Sequence, residues 1–230
     1  QTNVILGIGD TNTWDDKNLP SATATATERE PTKPALVRED DTVDVIEAMT
    51  RIFRMEFPAW TEAQARTRAQ RSWFNNEGHR NSGYIAALAY DAHTRDIRPD
   101  GRPNGLPGKQ TITTHWVDVI EGRTNNDYKQ RDTNQYYLAA KYGGFTVPAD
   151  YNPETNVTPL PEAWWNQGDS TPNFLRPTNF YAAADAARMV ASLRQAFRNI
   201  VDAVVGSSGG FASSSTLLET GTQTFQAQFR

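Results

Sequence analysis

The chain has 230 residues, 37% of them hydrophobic, with a mean hydropathy of −0.66 and a net charge of −4. These values fit one large domain, or one domain with an appendage, carrying long polar excursions and exclude the clustered basic excess that a nucleic-acid surface needs. With no cysteine, disulfides, thiolate metal sites and cysteine nucleophiles are excluded as well.

Residues 4–9, VILGIG, are a short continuous apolar run, which predicts a strand buried on both faces. They lead directly into Asp10 and a polar patch containing Asp15 and Asp16. Residues 11–40 are rich in Thr, Ala, Pro and charge without periodicity, and read as a long surface excursion. A helix is expected from Asp41 or Thr42, with Val45, Ile46, Met49, Ile52 and Phe53 along one apolar stripe and Pro58 ending it. Thr61 is the expected N-cap of a second, polar helix reaching about Arg71. Arg66, Arg68 and Arg71 share that helix with Glu62 and read as a solvated face.

A third helix follows Gly83, with Tyr84, Ile85, Leu88 and Ala89 on one face. Residues 96–110 carry three prolines and three glycines and read as loop. The second clear strand is expected within 111–120, with Val117 and Val119 on one face and Trp116 and Ile120 on the other, both buried. NQYYLAAKYGG reads as a short helix with Gly143 at a left-handed C′ position. Residues 146–179 read as irregular. The strongest helix is predicted over 185–204, with Asp185 as N-cap and Met189, Val190, Leu193, Phe197, Ile200, Val201 and Val204 at helical spacing. Residues 206–216 read as a hinge, and 221–229 alternate like a new strand without a partner in the order read so far.

Strands separated by helices predict an open α/β sheet with helices on its faces. Ligands of such sheets bind at the carboxyl ends of strands, which places Asp10 and the segment from Asp118 to Glu121 at the functional edge. Asp10 is either a ligand for a divalent cation or the anchor of an Asx-turn over Thr11 to Thr13. The stretch is not a self-contained calcium loop, because Trp14 stands where a ligand is needed and Asp15 where the turn needs glycine. Asp15 and Asp16 read as solvated.

His79, His93 and His115 lack metal-ligand spacing, and His115 is most simply a packed strand histidine. The Ser- and Gly-rich stretch SSGGFASSS reads as linker rather than as a serine-nucleophile elbow, and LGIGDT lacks both GxGxxG and the Lys-Ser/Thr of a phosphate-binding loop. Trp164, Trp165, Phe174, Phe180 and Tyr181 offer two readings, a sugar-stacking face or the cover of a core edge. No apolar run approaches the roughly 20 residues of a membrane-spanning helix. The start lacks the basic region of a signal peptide and reads as the middle of something, so a processed or truncated piece is expected.

Five segments occur in order: GIGDTNTWDDKNLP, YIAALAYDAHTRDIRPDGRPNGLPGKQTITTHWVDVIEG, YYLAAKYGGF, NFYAAADAARMVASLRQAFRNI and ASSSTLLETGTQTFQAQF. Together they resemble the amino-terminal region of type IV pilus tip-associated proteins of the PilC/PilY kind, in which a von Willebrand factor type A domain precedes a β-propeller. The resemblance spans nearly the whole chain, broken at 21–40, 57–80 and 146–165. It implies a partial doubly wound α/β sheet of the von Willebrand factor A type. Residues 1–205 would form the carboxyl-terminal portion of that domain, 206–216 the hinge, and 217–230 the first strand towards a propeller.

In that family's metal-dependent adhesion site, Asp10 matches the aspartate after the fourth strand, with Mg²⁺ or Ca²⁺ as the implied cation. The family's DxSxS element occurs nowhere in this chain, so the implied site is incomplete here, and the family's calcium site lies in the propeller. The implied role is non-enzymatic: pilus assembly and retraction, and adhesion at the bacterial cell surface or pilus tip. The implied partners are minor pilins or other tip subunits, a host or abiotic surface, and the missing amino-terminal part of the same domain. Two alternatives stand beside this reading. One is a metal-assisted hydrolase using Asp10, Asp118 and Glu121; the other is a structural collar between pilus subunits. A sheet lacking its first strands would expose an apolar edge, so the chain is expected to be stable only with the missing segment associated.

Overall fold

The computed structural model describes residues 3–9, 43–70, 83–103, 105–119, 134–166, 170–171, 174–183 and 186–207. The expected excursion at 11–40, Asp185 and the segment 217–230 lie outside the described residues, as does the hinge beyond residue 207; the first helix, expected from Asp41 or Thr42, starts later, with Asp44 as its N-cap.

Three parallel strands form the central sheet in the order β1 (Asn3–Gly9), β2 (Ile112–Asp118), β5 (Phe180–Ala182). A separate two-stranded antiparallel pair, β3 (Ser170–Thr171) and β4 (Phe174–Leu175), precedes β5. The expectation of an α/β fold with parallel strands therefore holds. β5 was missed in the sequence because three residues are too few to show a strand period. Within the described sheet β1 is an edge strand, which leaves Ile5 and Ile8 about half exposed. This corrects the expectation that residues 4–9 are covered on both faces.

Helix α1 (Val45–Glu56) starts at Asp44, whose carboxylate accepts the Glu47 amide at 2.9 Å. Its whole predicted stripe from Val45 to Phe53 is buried. Helix α2 (Glu62–Gln70) begins with a reciprocal capping box: Gln64 N donates to Thr61 Oγ1 at 3.3 Å, and Thr61 N donates to Gln64 Oε1 at 2.8 Å. Arg66 on α2 is an ion-pair partner of Glu47 at 2.8 Å rather than purely solvated, and the Arg68 guanidinium sits 5.9 Å from the Phe53 ring centre.

Helix α3 (Tyr84–Thr94) buries Tyr84 and Ala89 of the predicted face together with Ala86, Ala87, Tyr90 and Thr94, while Ile85 and Leu88 are half-buried. The predicted face is thus rotated towards the alanines, whose small side chains let neighbouring helices approach closely. In the loop that follows, Gly101 and Gly108 hold φ near +80°.

Helix α4 (Gln135–Tyr142) is buried at every residue. Gly143, its C-cap, has φ −92°, so the expected left-handed conformation is absent. Space selects glycine there instead. A Cβ would come within 2.6 Å of Ala139 O, 2.8 Å of Thr114 Cβ and 2.9 Å of Ala89 Cβ. Helix α5 (Glu162–Trp165) is a single turn.

The sheet is covered on both sides. Trp116 and Phe180 face the large core built from α1, α3 and α4. Val117 and Tyr181 face Ala196, Met189 and Leu193 of α6 (Ala186–Ser207). Helix α6 runs through Ser207, so the predicted hinge begins inside the helix. Of its predicted apolar set, Val190, Phe197 and Val201 are exposed. The sequence spacing held two stripes, and one of them faces solvent among the described residues.

Candidate functional site

All three strands of the sheet end together at one edge. Gly9 and Asp118 are register partners, Val119 N donates to Gly9 O at 2.9 Å, and Ala183 N donates to Asp118 O at 2.8 Å. The side chain of Asp118 turns inward and is buried. Its Oδ2 accepts from Asn134 Nδ2 at 2.9 Å, while Asn134 Oδ1 accepts from the amides of Tyr136 and Tyr137 at 3.0 and 2.8 Å. One asparagine therefore caps α4 and holds the strand-end carboxylate, which also lies at the favourable end of the helix dipole. Asn134 was not singled out in the sequence. Its place immediately before a helical run is the capping signal that marks it.

The glycines of β1 follow from the same edge. A Cβ on Gly7 would collide with the indole of Trp116, and one on Gly9 would lie 3.8 Å from that ring. Tyr136 stacks on the indole at 3.9 Å and 11°. Gly7 of the LGIGD sequence thus makes room for a tryptophan on the neighbouring strand, which accounts for that glycine without a nucleotide.

Asp10, the predicted metal ligand, and Glu121 lie outside the described residues, as does His79. Asp118 is placed, but buried and engaged by Asn134. Among the described residues no group of three or more His, Cys, Asp or Glu side chains is arranged to hold a metal ion.

His93 has Nδ1 3.1 Å from Ile112 O and Nε2 2.7 Å from Phe145 O, joining the start of β2 to the chain after α4. Burial pulls its pKa below the usual histidine value, and the two carbonyls oppose that pull. His115 is packed inside the sheet layer as expected. It stacks on Tyr181 at 6.2 Å and 10°, and burial lowers its pKa to about 4.

On the far side of the core the Lys141 ammonium meets Glu56 Oε1, which also accepts from Tyr142 Oη at 2.8 Å. The same ammonium lies 4.1 Å from the centre of the Trp165 ring. Burial and the Glu56 carboxylate hold the Tyr142 phenol well above its usual pKa.

The proposed sugar-stacking aromatics separate. Trp165, Phe180 and Tyr181 are buried in the core, whereas Trp164 is half-buried beside an open cavity. Phe174 belongs to β4, and its side-chain environment lies outside the described set.

No family model and no solved structure matches the chain. Among curated proteins, the type IV pilus biogenesis factor PilY1 homolog of Xylella fastidiosa strain Temecula1 is 52% identical over 238 aligned residues. The alignment covers 100% of this chain and 18% of that protein, so the chain spans under a fifth of its relative's length. The similarity thus extends along the whole chain, to one segment of a much longer protein. It carries no information on the von Willebrand factor A assignment. None of the described helices is long and apolar enough to cross a membrane.

Proposed function

We propose that this chain is the segment of a PilY1-like type IV pilus biogenesis factor that serves as a non-enzymatic binding and assembly module at the bacterial cell surface. The observation that carries the reading is the 52% identity sustained over the whole chain. An identity of that level in an alignment covering the whole chain makes a shared fold and a shared place in the longer protein the simplest account. The proposed partners are minor pilins or other tip subunits, a host or abiotic surface, and further chain of the same protein against the open edge of β1.

The von Willebrand factor A assignment remains part of this proposal. It is supported by a parallel sheet with helices on both faces and strand ends gathered at one edge. Asp10 follows Gly9 directly and so belongs to the chain leaving that edge. A Mg²⁺ or Ca²⁺ held there would need ligands from outside the described residues. The hydrolase alternative is disfavoured by Asp118, which is buried and hydrogen-bonded to Asn134 rather than presented to solvent.

The test is a segment exchange in a bacterium that carries a full-length relative. Replacing the corresponding segment with this chain should restore surface pili and surface attachment, while deleting the segment should abolish both. Asp10→Ala in the exchanged segment should lower attachment that depends on divalent cations. Full piliation and attachment after deletion would overturn the reading.

A further inference from the structure

We propose that the cavity walled by Tyr151 and Trp164 binds a neutral carbohydrate. This goes beyond the pilus reading and does not depend on it, since the cavity is formed after α4, away from the strand-end edge.

The chain from 146 to 161 is built of tight turns. Tyr151 N donates to Pro148 O at 3.1 Å, and Asn156 N donates to Asn152 O at 3.0 Å. Asn152 Oδ1 accepts the Glu154 amide at 2.9 Å, and Asn156 Nδ2 donates to Thr158 O at 3.0 Å. Thr146 N donates to Trp164 O at 2.7 Å and closes the segment onto α5. The open cavity so formed has a volume of about 370 Å³, and its walls include Asp150, Tyr151, Asn152, Asn156, Thr158 and Trp164. That is towards the small end of the roughly 300–1,000 Å³ of small-molecule sites, with room for a terminal sugar.

The lining selects the ligand class. Among the described residues that form it there is no lysine, arginine or histidine, so nothing there neutralises a phosphate, sulfate or carboxylate. One wall is aromatic, with the Tyr151 and Trp164 rings perpendicular at 6.4 Å. The rest, apart from Pro148 and Val157, carries carboxylate, amide and hydroxyl groups. A pyranose presents an apolar C–H face and a rim of hydroxyls, each both donor and acceptor. An aromatic wall beside Asp, Asn and Thr matches that division.

The site is also fixed in advance. The Tyr151 hydroxyl lies 2.7 Å from the Tyr90 hydroxyl and accepts from Asn156 Nδ2 at 3.3 Å, so the wall needs little ordering when a ligand arrives. Core packing explains why Tyr151 sits against Phe145. Asp150 and Asn152 are exposed and border the same hollow.

The experiment uses the whole 230-residue chain on an array of immobilised neutral oligosaccharides. Soluble methyl glycosides then serve as competitors, with Trp indole NMR signals as a second readout. The expected result is retention on at least one neutral glycan class, competed by the matching glycoside. Trp164→Ala and Asp150→Ala should each weaken retention tenfold or more. Asp150 is exposed, so its variant separates loss of binding from loss of folding, and chelator should leave retention unchanged. Three results would each overturn the assignment: no neutral glycan retained, retention unaffected by both variants, or displacement by tetramethylammonium in place of sugar. None of these touches the pilus reading, which is scored by the segment exchange.

Discussion

Trp116 lies where a side chain on Gly7 would stand, so two register partners on adjacent strands share one volume. The indole is stacked by Tyr136, which blocks its retreat in that direction. Gly7→Ala is therefore expected to lower stability at the upper end of the about 1–3 kcal/mol seen for overpacked cores. Gly9→Ala meets only ordinary contacts at 3.8 and 4.0 Å and should stay within about 0.5 kcal/mol of the parent. Denaturant unfolding of the two variants checks the contrast, and equal losses would refute it.

Asn134 serves two partners, and its replacements separate them. Asn134→Ala removes a helix cap and a donor to buried Asp118, for an expected loss of roughly 2–4 kcal/mol. Asn134→Asp keeps a capping oxygen but sets a second carboxylate against the first. That repulsion raises a carboxyl pKa in the folded state above its unfolded value, so the folded form binds the extra proton. The deficit of Asn134→Asp relative to the parent should thus shrink as pH falls from 7 towards 5. An unchanged deficit across that range would count against the pairing.

The Glu56–Lys141 pair is buried on both sides, with side chains 0% and 7% exposed. Removing the Lys141 ammonium takes a counter-charge from the buried Glu56 carboxylate, and Lys141→Ala should cost about 3–5 kcal/mol. The double variant Glu56→Gln with Lys141→Met keeps an acceptor for Tyr142 and removes both charges. It should recover most of that loss, and the coupling is read from a double-mutant cycle of unfolding free energies.

His115 makes stability sensitive to acid. Its folded pKa of about 4 lies below the ordinary value of 6.5, so the unfolded chain takes up the proton first as pH falls. The contribution is fully present above about pH 6.5 and is lost progressively towards pH 4, to roughly 3 kcal/mol for a shift of this size. His93 shifts in the same direction. The variant His115→Phe should flatten only its own part of the profile, measured as unfolding midpoints between pH 4 and 7. A profile identical to the parent's would show that His115 does not carry it.

Elements with a strong period were legible in the sequence. The stripe of α1 buries the residues its spacing named, and the Thr61 cap is where the pattern put it. What escaped depended on tertiary neighbours. Gly143 was read as a backbone conformation, yet its requirement comes from Thr114 and Ala89, distant in sequence. The aromatic cluster after residue 163 had no period to sort it, and only packing assigns Trp165 to the core and Trp164 to the cavity rim. At the strand-end edge the carboxylate at 118 was named, but its engagement by Asn134 depends on where α4 begins.

The ladder between β1 and β2 runs through seven consecutive residue pairs, from Asn3–Ile112 to Gly9–Asp118. Tension applied along these parallel strands loads their hydrogen bonds together, in shear. A pull across the sheet would open them one after another, like a zip, at a much lower force. The direction of traction then decides, as much as its size, whether β1 stays in place.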